Sequence, residues 1–325
     1  MGERLRQMIR VVSHGPSCLD GVVAAAAVNR FYRGHRVVTT LASNADADRT
    51  LQGIAPADEL WITDLSWNTV ETGQRLTDQA RQGTAIYWID HHRSAVRRAE
   101  APEFRVPFAR RILSERRSAS LLVFDFLRRR SPGILAPEEQ RAFEAFRPFA
   151  LLADDHDRWI HRIAESSDWA LAVQTLGGAS ALREILKLDQ PKMSRRLRAA
   201  LDEGRTAMAR SVDLARNTLV ERRLSGGLLL RTACCFGYSS EVGAALYTGA
   251  KSTVVALFDL RSQGVSLRRS PDCTVDLSAL AVSFGGGGHA AAAGFSMAEL
   301  ERLTAERLAD ALSERLNGQY EANRP

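Results

Sequence analysis

The hydrophobic pattern of the first ninety residues predicts strands that alternate with helices. Apolar, β-branched runs predict buried strands at 8–13, 36–41, 59–64 and 84–89, and helical patterns lie at 22–31 and 70–81. Such alternation is typical of parallel βαβ units, because parallel strands need a crossover connection. The sequence therefore predicts an α/β N-terminal domain with a mainly parallel sheet flanked by helices.

The pattern changes twice further along the chain. Helices are predicted at 118–130, 137–153 and 169–186, followed by a charged helical connector at 191–223. Short strands are then predicted at 227–232, 252–260 and 265–270, with helices at 240–248, 276–284 and 297–316, the last amphipathic. We therefore expect domain 1–190, connector 191–223, and a smaller C-terminal α/β domain, 224–325, with a mixed sheet.

Polar residues follow three of the predicted strands at their carboxyl ends. Asp90-His91-His92 ends one strand, Asp64 ends another, and His14 and Asp20 lie in the loop after the first. Open α/β sheets bind their ligands at this edge. Taken singly, an Asp-His pair is more often a hydrogen-bonded loop and Asp20 a helix N-cap. The convergence of three segments instead favours a site built from carboxylates and imidazoles, which suit Mn, Mg, Fe or Zn.

This set of residues matches what a pair of divalent cations requires. Cations about 3.5–4 Å apart need several carboxylates, one of them bridging, and neutral imidazoles. The Asp154–Asp157 segment offers further carboxylates, although a solvated helix end explains it about as well. His92 need not bind metal, since it can donate to a phosphate oxygen or protonate a leaving group. Hydrolysis of a phosphate ester follows as the reaction class.

A glycine run near the C-terminus predicts a second polar site. Gly285, Gly286, Gly287 and Gly288 precede His289, and successive glycines let backbone N–H groups approach an anion. A flexible linker is the alternative, but linkers are usually diluted with serine. Arg268, near a strand end, can add a bidentate phosphate contact, although a solvated position is equally compatible with the pattern.

The composition indicates the general class of the protein rather than its chemistry. A chain of 325 residues favours two domains, and 45% hydrophobic with 25% charged residues is an ordinary soluble composition. No span approaches the roughly 20 apolar residues of a membrane helix, and the N-terminus lacks a secretory signal, so we expect a cytoplasmic protein without a membrane partner. The four cysteines form no CxxC pair, and the net charge of +6 suits polyanionic partners.

The order of these motifs resembles that of the DHH phosphoesterase family. His14 and Asp20, then Asp64, then Asp90-His91-His92, then Asp155 four residues before Trp159 are similar to its motifs I to IV. The segments Val265–Arg268 and Gly285–Gly294 resemble the DHH-associated C-terminal domain of the nanoRNase, oligoribonuclease/pAp phosphatase and single-strand exonuclease members. Together these motifs extend from Val12 to Phe295.

The resemblance implies a two-domain enzyme with its active site in a cleft and two divalent ions, Mn²⁺ favoured over Mg²⁺, Co²⁺, Fe²⁺ or Zn²⁺. It implies substrate contact through Arg268, the glycines and His289. Asp90 would be a ligand or orient its neighbour, and His92 would contact the scissile phosphate. The implied metal ligands, with Asp64 as the bridge, are His14, Asp20, Asp64, His91 and Asp155.

One position departs from the family pattern. Cys18 stands where the first motif usually carries a second Asp. A thiolate binds Mn poorly and Zn or Fe(II) better, whereas an inert buried thiol beside a weakened site is an equal alternative. Spacing to Trp159 favours Asp155 as the fourth-motif ligand, and Asp154 and Asp157 stay open.

We expect a metal-dependent phosphodiesterase that hydrolyses short RNA or DNA oligonucleotides, or linear dinucleotides, to mononucleotides. One alternative is a phosphatase acting on 3′-phosphoadenosine 5′-phosphate. Another is a non-catalytic nucleotide-binding or redox-responsive regulator with a degenerate metal site, as Cys18 would permit. A homodimer is compatible with the sequence, which does not determine the oligomeric state.

Overall fold

The structure, a computed structural model, describes residues 6–296, so the helix predicted at 297–316 lies outside the described residues. The chain divides into two compact units, Met1–Thr206 and Ala207–Pro325, and the division falls inside a long helix, Arg195–Asn217. The placement of domain boundaries near 190 and 223 stays a prediction. Over residues 6–296, no helix combines the length and apolarity needed to cross a bilayer.

The first unit contains a five-stranded sheet in the order β2-β1-β3-β4-β5. All four neighbouring pairs run parallel, which confirms the predicted α/β class. The hydrophobic pattern did not predict the fifth strand, because it is a short edge strand that begins with two exposed arginines. The strands are β1 (Met8–His14), β2 (Arg36–Ala42), β3 (Glu59–Thr63), β4 (Ala85–Asp90) and β5 (Arg110–Leu113).

Helices cover both faces of this sheet. On one face α2 and α3 pack against alternate strand residues such as Val12, Ile62 and Trp88; on the other lie α1 and α5, with Phe126 of α5 against Trp61 and Tyr87. The helices are α1 (Leu19–Phe31), α2 (Ala47–Gln52), α3 (Val70–Arg81), α4 (Arg93–Arg97), α5 (Ala119–Arg130), α6 (Pro137–Glu144), α7 (Arg147–Asp157), α8 (Ser166–Leu176), α9 (Gly178–Ile185) and α10 (Arg195–Asn217).

The alanine run of α1 explains how the helices come so close together. Ala24, Ala25, Ala26 and Ala27 are all fully buried, because α1 contacts α5, α7, α9 and β1. Side chains no larger than methyl groups allow this helix to pack on every side, and burial of apolar surface stabilises the arrangement. The packing also fixes the N-terminal end of α1, where Asp20 lies.

Two of the predicted helices are each broken into two. The segment 137–153 is interrupted between α6 and α7, where Pro148 stands in the first turn of α7 and cannot supply a helical N–H. The segment 169–186 is interrupted at Gly177, whose φ of +80° belongs to the region that glycine tolerates best.

The second unit contains a six-stranded mixed sheet in the order β10-β11-β9-β8-β7-β6, as predicted for the C-terminal domain. The predicted connector helix extends too far toward the C-terminus, because α10 ends at Asn217 and the chain then forms β6. Part of the glycine run is itself a strand rather than a loop. The elements are β6 (Val220–Arg223), β7 (Leu229–Cys235), α11 (Ser239–Tyr247), β8 (Thr253–Asp259), β9 (Gly264–Arg269), α12 (Leu277–Val282), β10 (Gly287–His289) and β11 (Ala292–Ser296).

Candidate metal centre

The sheet register brings three predicted site segments into one row. Ser13, Thr63 and Ile89 are paired across β1, β3 and β4. The residues that directly follow these three are His14, Asp64 and Asp90, at the ends of strands about 4.8 Å apart. This row forms the carboxyl edge of the parallel sheet, where the sequence predicted the site.

Asp64 lies at the centre of the cluster. Its Oδ2 lies 3.5 Å from His14 Nδ1, and its Oδ1 lies 3.3 Å from His91 Nε2 and 3.8 Å from His92 Nδ1. The side chain is 1% exposed, and the backbone φ of +55° is unusual for a residue other than glycine. The strained backbone directs this carboxylate toward three imidazoles, consistent with a bridging role.

A second group of donors surrounds His91. Its Nε2 lies 3.8 Å from Asp20 Oδ2 and 3.3 Å from Asp157 Oδ2. The ligand atoms of Asp20, His91 and Asp157 all lie within 4.8 Å of one another, as do those of two overlapping groups, His14-Cys18-Asp64 and Asp64-His91-His92. Asp64 and His91 each belong to two groups, so the donors form one continuous centre.

Asp90 positions His92 rather than joining a donor group. Its Oδ1 lies 2.7 Å from His92 Nδ1 and accepts the backbone N–H groups of His91 and His92. Its Oδ2 accepts the Ser66 hydroxyl at 2.7 Å. Among residues 6–296, no group of three candidate ligands includes Asp90. Of the two roles expected for it, the geometry supports orientation of its neighbour.

The protonation equilibria reflect the crowding of negative charge. Burial and the nearby carboxylates raise the pKa of Asp20 to about 7. Burial alone would raise the pKa of Asp64, but the nearby imidazoles of His14 and His91 hold it below its usual range. Burial would lower the pKa of His91, yet Asp64 and Asp157 raise it to about 11. In the absence of other cations, a proton on His91 compensates the carboxylates around it.

The donor set fits divalent cations. Two buried carboxylates, Asp20 and Asp64, and the more exposed Asp157 face histidine nitrogens and one thiol. Hard oxygens with imidazoles are ligands that Mn²⁺, Mg²⁺ and Zn²⁺ all accept. Asp157 ends α7, where the negative end of the helix dipole disfavours a carboxylate. A bound cation would relieve this repulsion by replacing protons that the cluster otherwise needs.

Hydrogen bonds from neighbouring segments hold the candidate ligands in place. Asp20 accepts the backbone N–H groups of Ala119 and Ser120 at 2.8 and 3.0 Å, so it caps α5 rather than its own helix. The Ser13 hydroxyl donates to the Gly21 carbonyl at 2.7 Å. The sequence pattern did not single out Ser13 or Ser66. The signal that could have identified them is a polar residue at the end of, or just after, an apolar strand.

The structure places Asp155 and Asp157 differently relative to the centre. Asp155 accepts the Ser166 hydroxyl at 2.6 Å and the backbone N–H groups of Arg162 and Ile163 at 2.9 and 3.2 Å, and it belongs to no candidate donor group within the described residues. It therefore holds the loop that follows α7. Asp157, two residues further along the helix, supplies the carboxylate that approaches His91.

Comparison with known proteins identifies the fold. No protein-family model and no curated protein matches the sequence. Among solved structures, the DHH domain of a member of the s1p family of ribosomal proteins has a TM-score of 0.62 at 14% identity, over 96% of this chain and 86% of that one. Exonuclease RecJ bound to manganese has a TM-score of 0.54 at 17% identity, covering 98% and 91%. An exopolyphosphatase-related protein from Bacteroides fragilis has a TM-score of 0.51 at 14% identity, covering 96% and 93%.

The chain has the DHH-domain fold. Within it, the residues that resemble DHH motifs I to III converge as described, with Cys18 at the departing position of motif I. The Cys18 Sγ lies 3.6 Å from Asp64 Oδ2. Burial and the carboxylates of Asp64, Asp157 and Asp20 raise the pKa of this thiol well above its usual value. The thiol therefore faces the centre and keeps its proton while no cation displaces it.

The segments that resemble the DHH-associated domain place Arg268 and His289 on two strands of the second unit that flank β11. Arg268 is paired with Ala292, and Ala292 with His289, so Arg268 and His289 occupy one row two strands apart, about 10 Å. Arg268 donates to the hydroxyls of Ser266 and Ser240, both at 2.8 Å. Burial lowers the pKa of its guanidinium. These contacts position a cation on the face that it shares with His289.

The glycines of this segment permit close packing of two strands. A Cβ on Gly286 would lie 2.1 Å from the Gly294 carbonyl oxygen, whereas one on Gly287 would meet nothing within 4 Å. Gly288 has a φ of +139° and would also clash with β11. Part of the predicted loop is therefore a short strand, β10, that ends at His289, and the anion-binding role of the glycines stays a prediction.

Proposed function

We propose that this protein is a DHH-family phosphoesterase that hydrolyses short oligonucleotides or linear dinucleotides to mononucleotides. The observation that carries the proposal is the continuous centre formed by overlapping donor groups around Asp64 and His91. Isolated carboxylates and imidazoles have many structural uses, but a shared buried carboxylate between two groups suits a pair of cations. The residues that would hold them are His14, Cys18, Asp20, Asp64, His91 and Asp157.

Two bound divalent cations supply activation of a water molecule and stabilisation of charge on the attacking and leaving oxygens. His92 would act beside them on the substrate. Its Nδ1 is engaged by Asp90, so the substrate contact falls to Nε2, and the side chain is 28% exposed. A histidine oriented in this way can donate a hydrogen bond to a nonbridging oxygen or a proton to the leaving group.

The second unit would supply recognition of the substrate. Arg268 and His289 offer donors in one row, and a guanidinium and an imidazole are suited to a phosphate or the end of a nucleotide. The distance of about 10 Å between their strands accommodates one nucleotide rather than a long duplex. The positive net charge of +6 is consistent with an anionic substrate.

The test is release of mononucleotides from oligonucleotides of two to five residues in the presence of Mn²⁺. The variant Asp64→Asn is expected to lose activity, since it removes the shared carboxylate. The matched control Asp168→Asn removes a carboxylate paired with Arg205 in the same unit but outside the centre, and it should retain activity. Absence of turnover with Mn²⁺, Mg²⁺, Co²⁺ and Zn²⁺, or full activity of Asp64→Asn, would contradict the proposal.

A substrate panel distinguishes the finer possibilities. Release of phosphate from 3′-phosphoadenosine 5′-phosphate would indicate the phosphomonoesterase alternative, whereas release of nucleotides from dinucleotides supports the diesterase. Substitution of Arg268 by Met is expected to raise KM for oligonucleotides more than it lowers kcat, because the residue binds the substrate rather than the reacting centre. Substitution of His92 by Asn is expected to lower kcat predominantly.

A further inference from the structure

The environment of Cys18 differs from that of an ordinary buried thiol. Cys18 is the N-cap of α1 but makes no side-chain capping hydrogen bond. Its sulfur lies 3.6 Å from Asp64 Oδ2, and His14 Nδ1 lies 3.5 Å from the same oxygen. One sulfur, one nitrogen and one oxygen therefore lie within 4.8 Å of one another.

The other oxygen of Asp64, which faces His91 rather than Cys18, is buried and lacks conventional hydrogen bonding. Asp64 Oδ1 is buried and makes no hydrogen bond in the described part of the chain, although His91 Nε2 lies 3.3 Å away. A buried carboxylate is costly unless its charge and lone pairs are compensated. A cation beside Asp64 would compensate the charge without requiring hydrogen-bond geometry.

The two ends of the centre differ in donor chemistry. The group of Asp20, His91 and Asp157 offers only oxygen and nitrogen, whereas the group of His14, Cys18 and Asp64 includes sulfur. Thiolate ligands favour Zn²⁺, Fe²⁺ and Co²⁺, while carboxylate-rich sites suit Mn²⁺ and Mg²⁺. The departure at Cys18 thus changes which ion its group prefers.

We propose that His14, Cys18 and Asp64 form a thiolate-containing cation site that prefers a Zn²⁺- or Fe²⁺-type ion over Mn²⁺. The two ends of the centre would then hold cations of different kinds. This inference deepens the metal centre of the proposed function and rests on it. A redox-sensing thiol fits the site less well, because such thiols are usually ionised and accessible, whereas Cys18 is surrounded by carboxylates.

The test uses Co²⁺ as a spectroscopic probe of the full-length protein after treatment with a chelator. Co²⁺ bound to a thiolate gives a sulfur-to-metal charge-transfer band in the near ultraviolet, and the wild type should show it. The variants Cys18→Asp and Cys18→Ser should bind Co²⁺ without the band. The control Cys234→Ser removes another partly buried thiol, in the second unit, and should keep the band.

Metal competition measures the selectivity. With Zn²⁺ and Mn²⁺ supplied together, Cys18→Asp should shift the Zn/Mn occupancy ratio toward Mn²⁺ by at least about tenfold, since even residues that only support ligands change affinity by 10–100-fold. In the wild type, Zn²⁺ should abolish the Co²⁺ thiolate band at a lower concentration than Mn²⁺ does. This measurement needs no substitution, so a misfolded variant does not obscure the answer.

Two results would overturn the inference: a wild-type Co²⁺ complex without a thiolate band, or equal Zn/Mn selectivity in the wild type and Cys18→Asp. Hydrolysis is assayed separately and keeps the two proposals distinct. A thiolate band without turnover of any oligonucleotide supports this site and counts against the proposed function. Turnover with Mn²⁺ but no thiolate band supports the function and counts against the site.

Discussion

Substitution of Gly21 by Ala should disable the metal centre through a single methyl group. A Cβ on Gly21 would lie 2.0 Å from the His14 carbonyl oxygen and 3.1 Å from Asp64 Oδ2. Real Cβ contacts are not closer than 3.0 Å, so the start of α1 and the end of β1 must separate by about 1.0 Å, that is 3.0 minus 2.0. This shift would act on His14, Cys18 and Asp20, which lie on the two segments.

The magnitude follows from the displacement. Misplacement of reacting groups by about 1 Å can cost about 10²-fold in rate, or roughly 2.7 kcal/mol of barrier. Overpacking of this kind also destabilises a fold by about 1–3 kcal/mol. The control must therefore separate a distorted site from a weaker fold. Gly73→Ala provides it, because its Cβ would lie 2.2 Å from the Glu103 carbonyl oxygen, between α3 and a turn outside the centre.

The assay combines thermal unfolding with calorimetric titration of Mn²⁺. Both variants should unfold at lower temperature, with each kcal/mol of lost stability worth about 2–4 °C for a unit of this size. Only Gly21→Ala should lose Mn²⁺ affinity and oligonucleotide hydrolysis. Wild-type Mn²⁺ affinity in Gly21→Ala, or an equal loss of affinity in Gly73→Ala, would refute the reasoning.

Three further predictions concern other parts of the chain. Asp157→Asn should weaken Mn²⁺ binding by about 10-fold or more, whereas Asp155→Asn should lower Tm and retain Mn²⁺ binding. Calorimetry of both variants tests whether Asp157 rather than Asp155 contributes to the metal centre. Asp48 accepts hydrogen bonds from four N–H or O–H groups at the N-terminal end of α3. Burial would raise the pKa of Asp48, but these hydrogen bonds outweigh burial and lower it. The stabilisation by Asp48 is present above its unfolded-state pKa and is lost as pH falls through its lower folded-state pKa. Asp48→Asn should therefore cost about 1–2 kcal/mol at pH 7 in urea unfolding, and this cost should shrink as the pH is lowered below the unfolded-state pKa. Gly286→Ala should weaken binding of nucleoside monophosphates, because its Cβ would meet a carbonyl of β11, whereas Gly287→Ala should not. An equal effect of both substitutions would argue against the strand geometry.

Periodicity predicted the parallel sheet well because the signal is local and repeated. A buried strand such as 84–89 is apolar along its whole length, and the polar residues after it mark the strand's end. Edge strand β5 and the breaks at Gly177 and Pro148 were less visible. An exposed edge carries little hydrophobic pattern, and a helix interrupted by one or two residues keeps its period on both sides of the break.

The choice between Asp155 and Asp157 shows where local spacing fails. Both carboxylates lie near the end of α7, and two residues of a helix differ by about 200° in direction, so one can face His91 while the other faces the following loop. Which one does so depends on how α7 packs against α1 and α5, and that packing involves residues distant in sequence. The same holds for Asp20, which caps a helix a hundred residues further along the chain.

The sequence by itself determined the alternating α/β architecture of the first unit, the mixed sheet of the second, and the kinds of chemical group available at the strand ends. Only the tertiary structure decided which of these groups meet. It assigned Asp157 to the centre, Asp90 to His92 and Cys18 to the side of Asp64. The physical reason is that hydrophobic periodicity depends only on residues close together in the sequence. The direction in which a side chain enters a shared site depends instead on strand register and helix packing between remote parts of the chain.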